Sequence, residues 1–508
     1  MFSKVLSFGL NGIEGFKIDV EVDTSKGLPH YEIVGLPDVA VKESRERVRA
    51  AIKNSGYKFP TNRIIINLAP ANVKKVGPNF DLPIAVSILY SSDQIKNDKL
   101  GEYVIIGELG LDGQIKSVAG ILPALISARE QGFTKFIIPK QNEKEASYID
   151  GITVYALETL NEVVCFLDNV MDFMPVEKKE WKGEISDKVT EDFCRVKGQK
   201  IAKRAIEIAV AGGHNILMVG APGAGKTMIA RCIPSIMPDL TFEEALEITK
   251  IHSVAGVLDL NKGVVLERPF RSPHHTASIV SIVGGGKDAR PGEVSLASNG
   301  VLFLDELPEY SRSSLETLRQ PLEDGVITIS RASGTYEYPA NFMMVASMNP
   351  CPCGNYGNSE TVCTCSPNQI QNYLKRLSGP LLDRIDLKID VEKVTFLDIT
   401  SKSEEETSEE IKKRVDRARK IQLKRFEGSP IHTNAKMTTS MLDKYCKLDE
   451  ESEGLMKIAF ERYHISARGY TRLLKVARTI ADLDNSELIT FDHIAEAIAY
   501  RNIEKYQL

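Results

Sequence analysis

Apolar positions in the first third of the chain follow two rhythms. FKIDVEV, YEIVGL, RIIINLAP, YVIIGELG and KFIIPK are short runs rich in β-branched residues and bounded by Gly, Pro or Asn, and they predict strands. VKESRERVRAAIKNSG and LPALISAREQG carry apolar residues at helical spacing and predict helices between them. Residues 1–170 are thus expected to form one domain. The charged, poorly periodic stretch that ends in VEKKEWKGEISDKVT predicts a linker over 171–190. A second α/β unit is expected over 191–395. It is followed by the acidic run SKSEEETSEE and by the helix IKKRVDRARKIQLKRF, whose eight Lys or Arg read most simply as a solvated face. From Thr438 onward the pattern is helical, which makes 396–508 a helical domain.

Composition narrows the classes without choosing among them. A chain of 508 residues is too long for one ordinary core. A formal net charge of −5 leaves no global basic field, so any nucleic-acid contact is a local patch. No apolar run reaches the roughly 18 residues of a membrane span, and the start lacks a secretory core, so no membrane contact and a cytoplasmic location are expected. Cys165, Cys194, Cys232 and Cys446 are scattered and read as small buried hydrophobes.

The strongest chemical signal is the strand–loop–helix order of NILMVG-APGAGKT-MIARCI. Gly220, Gly223 and Gly225 permit a loop that turns its N–H groups toward phosphates, with Ala221, Pro222 and Ala224 between them, and the helix that follows adds its positive end. Lys226 is placed to reach the β- and γ-phosphates of ATP, and the Thr227 hydroxyl to hold Mg²⁺. In GVLFLDELPE, Asp305 and Glu306 stand at the polar end of an apolar strand, one to orient the Mg²⁺ shell and the next to polarise the attacking water. FMMVASMN ends in Asn349, a candidate sensor of the γ-phosphate, with an ordinary strand-ending Asn as the alternative.

GAPGAGKT, GVLFLDELPE, PFRSPHHTAS, GGGKDARPGEVSLA and SGPLLDRIDL, in this order, resemble the magnesium-chelatase-like AAA+ proteins of the ComM/YifB type, relatives of the MCM helicases. The resemblance covers essentially the whole chain. It implies an α/β fold: a P-loop AAA+ ATPase core over 191–395 with a four-cysteine insertion at 351–365, a C-terminal helical lid over 396–508, and a preceding Lon-protease-like α+β domain. It implies a homo-oligomeric, hexameric ring that hydrolyses ATP with Mg²⁺ and acts on branched or single-stranded DNA, as a branch-migration helicase in recombination during natural transformation. A protein-remodelling or chelatase-type motor would carry the same ATPase motifs. By the same resemblance Arg384 in LLDRIDL matches an arginine finger that reaches a neighbouring subunit's ATP, the alternative being a surface Arg paired with Asp383 or Asp386. Arg468 matches the sensor arginine of the lid, with Arg472 and Arg478 as alternatives, and Gly198 and Gln199 match the segment that lines the adenine pocket. In the Lon-like domain the positions of the Ser nucleophile and the Lys base carry Asn79 and Leu122, so peptidase chemistry is expected to be absent, leaving a platform for assembly or DNA binding.

CPCGNYGNSETVCTC spaces Cys351, Cys353, Cys363 and Cys365 as C-x-C, nine residues, C-x-C, which suits a closed Zn²⁺ site, with free or redox-active thiols as alternatives. DGVITISRASGTYEYPA predicts a β-hairpin with its tip near Ala332–Thr335; the resemblance implies that it projects into the central channel, where Arg331 would contact a phosphate backbone, the alternative being an exposed hairpin with solvated basic residues. The GGGKDAR loop adds Lys287 and Arg290 in a flexible Gly-rich frame. His274 and His275 are adjacent, lack the i,i+4 spacing for shared ligation on a helix, and are expected to serve structure or a DNA loop.

Overall fold

The computed structural model describes residues 1–181, 191–286, 288–331, 334–357, 361–396, 400, 405–463 and 465–501. The N-terminal domain is built on a seven-stranded sheet, in the order His30–Val34, Arg63–Ala69, Glu14–Ser25, Phe2–Asn11, Val104–Ile105, Lys135–Pro139, Thr153–Leu157. Phe2–Asn11 pairs antiparallel with Glu14–Ser25, and Glu14–Ser25 with Arg63–Ala69; the remaining neighbours are parallel. Helix Asp81–Ser91 lies against the first two strands, buried along almost its whole length, and the Ser3 and Ser87 hydroxyls meet at 2.7 Å across that contact. The predicted strand YVIIGELG is cut in two, into Val104–Ile105 and a separate ribbon of Glu108–Leu109 with Ile115–Lys116. At the break the Gly107 N–H donates to Asn79 and the Gly107 carbonyl accepts from Leu82, so the backbone is tied to the Asn79 turn instead of to a neighbouring strand.

The second unit carries a five-stranded parallel sheet ordered Phe270–Arg271, Val301–Leu304, Met343–Met348, Ile216–Val219, Leu387–Asp390. Its central strands are wholly apolar or small and are covered on both sides, as parallel sheets require. Val326–Arg331 and Gly334–Pro339 form the expected hairpin, although Ala332 and Ser333 at its tip lie outside the described residues. The GGGKDAR segment is more ordered than a flexible frame: Gly284–Gly285 pairs antiparallel with Arg290–Pro291. Lys287 lies outside the described residues.

The C-terminal part is helical, with helices Ser408–Arg425, Thr439–Tyr445, Glu450–Arg462, Ala467–Leu483 and Phe491–Ala499. The basic run of the first of these is not simply a solvated face. Arg414 pairs with Glu207 and Glu406, Arg419 donates to the Val210 carbonyl, and Arg425 donates to the buried Asp482 at 2.7 Å. The basic spacing thus stitches the helix to helix Lys200–Gly212 and to Ala467–Leu483, a pairing that local charge patterning does not reveal. Of the four scattered cysteines, Cys232 and Cys446 are buried as expected, whereas Cys165 and Cys194 are half-exposed. Among the described residues no helix is long and apolar enough to cross a membrane.

The N-terminal domain docks on the second unit through helix Phe242–Ala255. The Gly120 N–H donates to the Ser253 hydroxyl at 3.1 Å, and that hydroxyl donates to the buried Glu145 carboxylate at 3.0 Å. Lys144 donates to the Asn261 carbonyl at 2.9 Å, and Ile13, at the turn of the first hairpin, packs into the apolar cluster that holds Tyr336 of the other hairpin.

Candidate nucleotide site and cysteine cluster

Strand Ile216–Val219 is buried throughout and delivers the chain to Gly220, where a Cβ would sit 2.3 Å from the Val391 carbonyl oxygen. Gly223 and Gly225 adopt φ of +79° and +89°, and a Cβ on either would point into open space. The loop then enters helix Lys226–Ile236. Lys226 is folded against its own loop: its ammonium donates to the Gly220 carbonyl at 2.6 Å, the Ala221 carbonyl at 3.0 Å and Asn349 Oδ1 at 3.1 Å. Burial pulls its pKa below the usual lysine range, against the opposing fields of Asp305 and Glu306. The Thr227 hydroxyl donates to Asp305 Oδ2 at 2.9 Å, so the two candidate Mg²⁺ ligands already touch. A backbone arched around open space, a hydroxyl against a carboxylate and a lysine held by carbonyls together fit Mg·ATP.

Asp305 and Glu306 diverge. Asp305 accepts from the Ser347 hydroxyl and from Thr227, toward the phosphate loop. Glu306, at φ +53°, turns the other way, with Oε2 3.5 Å from His275 Nδ1. His275 stacks on His274 with ring centres 4.1 Å apart and stands edge-on to Tyr310, whose hydroxyl donates to the Pro273 carbonyl at 2.5 Å. Ser347 and His275 belong to this constellation although sequence reasoning assigned them no part in it. The signal for Ser347 was its place on the strand beside Asp305; nothing local in the sequence pairs His275 with Glu306. Gln199 donates to the Glu392 carbonyl at 2.5 Å and lies 3.5 Å from the Ala224 carbonyl, while the Gly198 N–H donates to Glu405, which puts this segment beside the phosphate loop.

Arg384 stands apart from that group. Leu387 is in register with Ile216, and Asn215 Nδ2 donates to the Arg384 carbonyl, so Arg384 sits at the opposite end of these parallel strands from Gly220. The strand between the two ends is about 13 Å long. Arg384 is only 4 % exposed and pairs with Glu323, while its other terminal nitrogen donates to the Pro380 carbonyl at 2.6 Å. Neither acid expected as its surface partner holds it: Asp383 faces Arg501 and Asp386 faces Arg472. Arg468 is largely exposed, 3.8 Å from the same Glu323, so the two candidate arginines converge on one carboxylate. Hydrogen bonding from Arg384 draws the Glu323 pKa down, helped by the charges of Arg468 and Arg472. Arg472 and Arg478 are committed to Asp386 and Asp482.

Cys351, Cys353, Cys363 and Cys365 present their sulfurs within 4.8 Å of one another. Three of the pairs measure 3.4, 3.6 and 3.7 Å. Sulfurs on a tetrahedron of Zn–S radius ~2.3 Å stand about 3.8 Å apart, so Cys351, Cys353 and Cys363 stand near the separations of a Zn²⁺ site, with Cys365 close enough to complete it. Backbone N–H groups of Asn355 and Thr364 draw the Cys353 thiol down to about 5. Arg331 Nη2 would lie 2.8 Å from a Cβ at Gly285, so the hairpin and the paired Gly-rich segment that carries Arg290 lie side by side. In the N-terminal domain Leu122 is fully buried and Asn79 occupies the turn before helix Asp81–Ser91.

Three family models match this chain: magnesium chelatase subunit ChlI over residues 192–399, subunit ChlI of Mg-chelatase over 20–142, and the ChlI C-terminal region over 405–501. Protein YifB of Escherichia coli is 44% identical over 496 residues, 97% of this chain and 96% of its own. Competence protein ComM of Haemophilus influenzae is 42% identical over 494 residues, 96% of this chain and 95% of its own. Lon protease 2 of Bacillus subtilis is 31% identical over 194 residues, 35% of this chain and 34% of its own. The fold is accordingly α/β, an AAA+ core with a helical lid preceded by a Lon-like domain. At these identities over nearly full length, the chain belongs to the magnesium-chelatase-like AAA+ family of the ComM/YifB type.

Proposed function

We propose that the chain hydrolyses Mg·ATP within a hexameric ring of identical subunits in the cytoplasm, and that the ring moves branched or single-stranded DNA during recombination. The phosphates lie on Gly220–Thr227, with Gly198 and Gln199 at the adenine. Lys226 neutralises phosphate charge and Asn349 senses the γ-phosphate. Thr227 and Asp305 hold Mg²⁺, which supplies charge neutralisation at the phosphates, and Glu306 polarises the attacking water.

The observation that carries the ring is the place of Arg384, at the opposite end of the strands from its own phosphate loop and beside Arg468 at Glu323. Arg384 is buried on Glu323 within its own chain, so it serves a nucleotide bound by the next subunit once assembly draws it off that carboxylate, with the exposed Arg468 beside it. DNA is supported by the resemblance to competence protein ComM and by the juxtaposition of Arg331 and the Arg290 segment, with Lys287 between Gly286 and Asp288 in sequence. The Lon-like domain, with Asn79 and Leu122 at the positions of the peptidase pair, serves as a platform and not as a protease. The four thiolates hold a structural Zn²⁺.

An ATPase assay with and without branched and single-stranded DNA tests this reading. DNA is expected to raise turnover severalfold. All three family models carry the magnesium chelatase name, so a chelatase-type or protein-remodelling motor is the second reading. Stimulation by a protein partner, with DNA inert, would establish it.

A further inference from the structure

We infer that the four-cysteine loop is a zinc-locked strut for the nucleotide site, so that bound metal sets ATP affinity. This rests on the zinc reading above and goes beyond it.

The loop touches the phosphate-binding machinery at two points. The first is Gly354, next to Cys353 in sequence. A Cβ there would fall 2.4 Å from Pro222 Cδ and 2.7 Å from its Cγ, so the backbone of the cysteine loop lies directly on the ring of Pro222, inside the phosphate loop. The second is Asn349, two residues before Cys351. Its Oδ1 accepts from Lys226 at 3.1 Å, so the position of Cys351 bears on the residue that meets the phosphate-loop lysine.

Between these points the backbone is held by a tight turn, with the Gly354 N–H on the Cys351 carbonyl at 2.9 Å, and by the Tyr356 N–H on Cys351 Sγ at 3.3 Å. No helix or strand is present among the described residues between Met348 and Pro367. Tyr356 packs on the apolar core, and the rest of the closure falls to the sulfurs, which a metal would hold together. Without it the two C-x-C arms part, Gly354 leaves Pro222, and the phosphate loop loses one wall while Asn349 loses its register. Zn²⁺ does no chemistry on ATP here; its binding energy is spent on keeping the loop against the phosphate loop.

The test uses the full-length chain, elemental analysis, and titration with a fluorescent ATP analogue. Parental protein is expected to hold about one Zn²⁺ per chain, and the Cys363→Ser, Cys365→Ser double variant to lose it with at least about a tenfold rise in nucleotide Kd. Gly354→Ala alters no ligand, so it is expected to keep its zinc yet bind nucleotide severalfold more weakly, because a Cβ at φ +79° strains the turn and must displace Pro222. If the double variant does not fold, Gly354→Ala decides alone. Zinc-free protein, or a zinc-loaded Gly354→Ala, that binds nucleotide as the parent does would overturn the strut and leave the zinc site standing. Parental protein without zinc and with four freely titratable thiols would overturn both.

Discussion

At the level of single residues, the divergence of Asp305 and Glu306 accords with the two separate roles proposed for them, which a DE pair alone leaves merged. Asp305 is tied to Thr227 and Ser347 on the phosphate side, whereas Glu306 is free of the phosphate loop and faces His275. A group that acts on water only as the reaction proceeds contributes to turnover and not to binding, while Lys226 meets charge already present in the ground state. Glu306→Gln is therefore expected to bind a fluorescent ATP analogue within about twofold of the parent and to lose at least about a hundredfold in kcat. Lys226→Ala is expected to lose binding itself. Parental turnover in Glu306→Gln would remove Glu306 from its role. The phosphate loop, the acidic pair and the cysteines were legible in the sequence because each is a local motif with fixed spacing. Glu323, His275 and the contact of Gly354 with Pro222 were not, because each joins segments that only the folded sheet brings together.

At the level of elements, legibility followed periodicity. Val39–Asn54, a helix with one apolar face, was readable. Helix Asp81–Ser91 is apolar on nearly every side because it is enclosed, so it offers no period to find. The first strand, Phe2–Asn11, is interrupted by Gly9 and by buried serines, Ser3 and Ser7, which disguise it as polar. Helix Ser408–Arg425 misled for the opposite reason: its charges look solvated, but Arg414 and Arg419 hold the lid to the core and Arg425 ties the lid to itself. Asp482 is fully buried and receives Arg425, Arg478 and Asn434. Arg425→Ala leaves this carboxylate short of its bidentate partner and is expected to cost about 3 kcal/mol, visible as a drop of several degrees in Tm. Lys413→Ala, on the same helix but paired with Glu409 where both side chains are exposed, is expected to leave Tm essentially unchanged. Equal Tm values for the two variants would show that the basic run is a solvated face after all.

At the level of the whole molecule, the N-terminal domain is coupled to the AAA+ core, and the proposed ring would couple one subunit to the next. The first runs through Glu145, whose carboxyl burial pushes up to about 7 from an ordinary value of 4.5, against the lowering effect of hydrogen bonds from Asn142, Ser253 and the Leu122 N–H. A folded state that binds this proton more tightly than the unfolded chain gains stability as pH falls. The gain is full below 4.5 and is lost as pH rises through 7. Relative to the parent, Glu145→Gln is expected to match in Tm near pH 5 and to be the more stable at pH 8, by at most about 3 kcal/mol. Parallel Tm curves across that range would show that the docking is indifferent to Glu145. The second coupling carries the central claim, that each ATP site is completed by a neighbouring chain. It is measured most directly by the ATPase rate of co-expressed mixtures of Lys226→Ala and Arg384→Ala chains. Arg384→Ala alone is expected to bind ATP nearly as the parent does and to hydrolyse it at least about a hundredfold more slowly. Lys226→Ala alone is expected to be inactive. In mixed rings some sites pair an intact phosphate loop with an intact Arg384 from next door, and turnover is expected to return in part. Mixed rings that assemble but stay inactive, with Arg384→Ala alone turning over at the parental rate, would contradict the account.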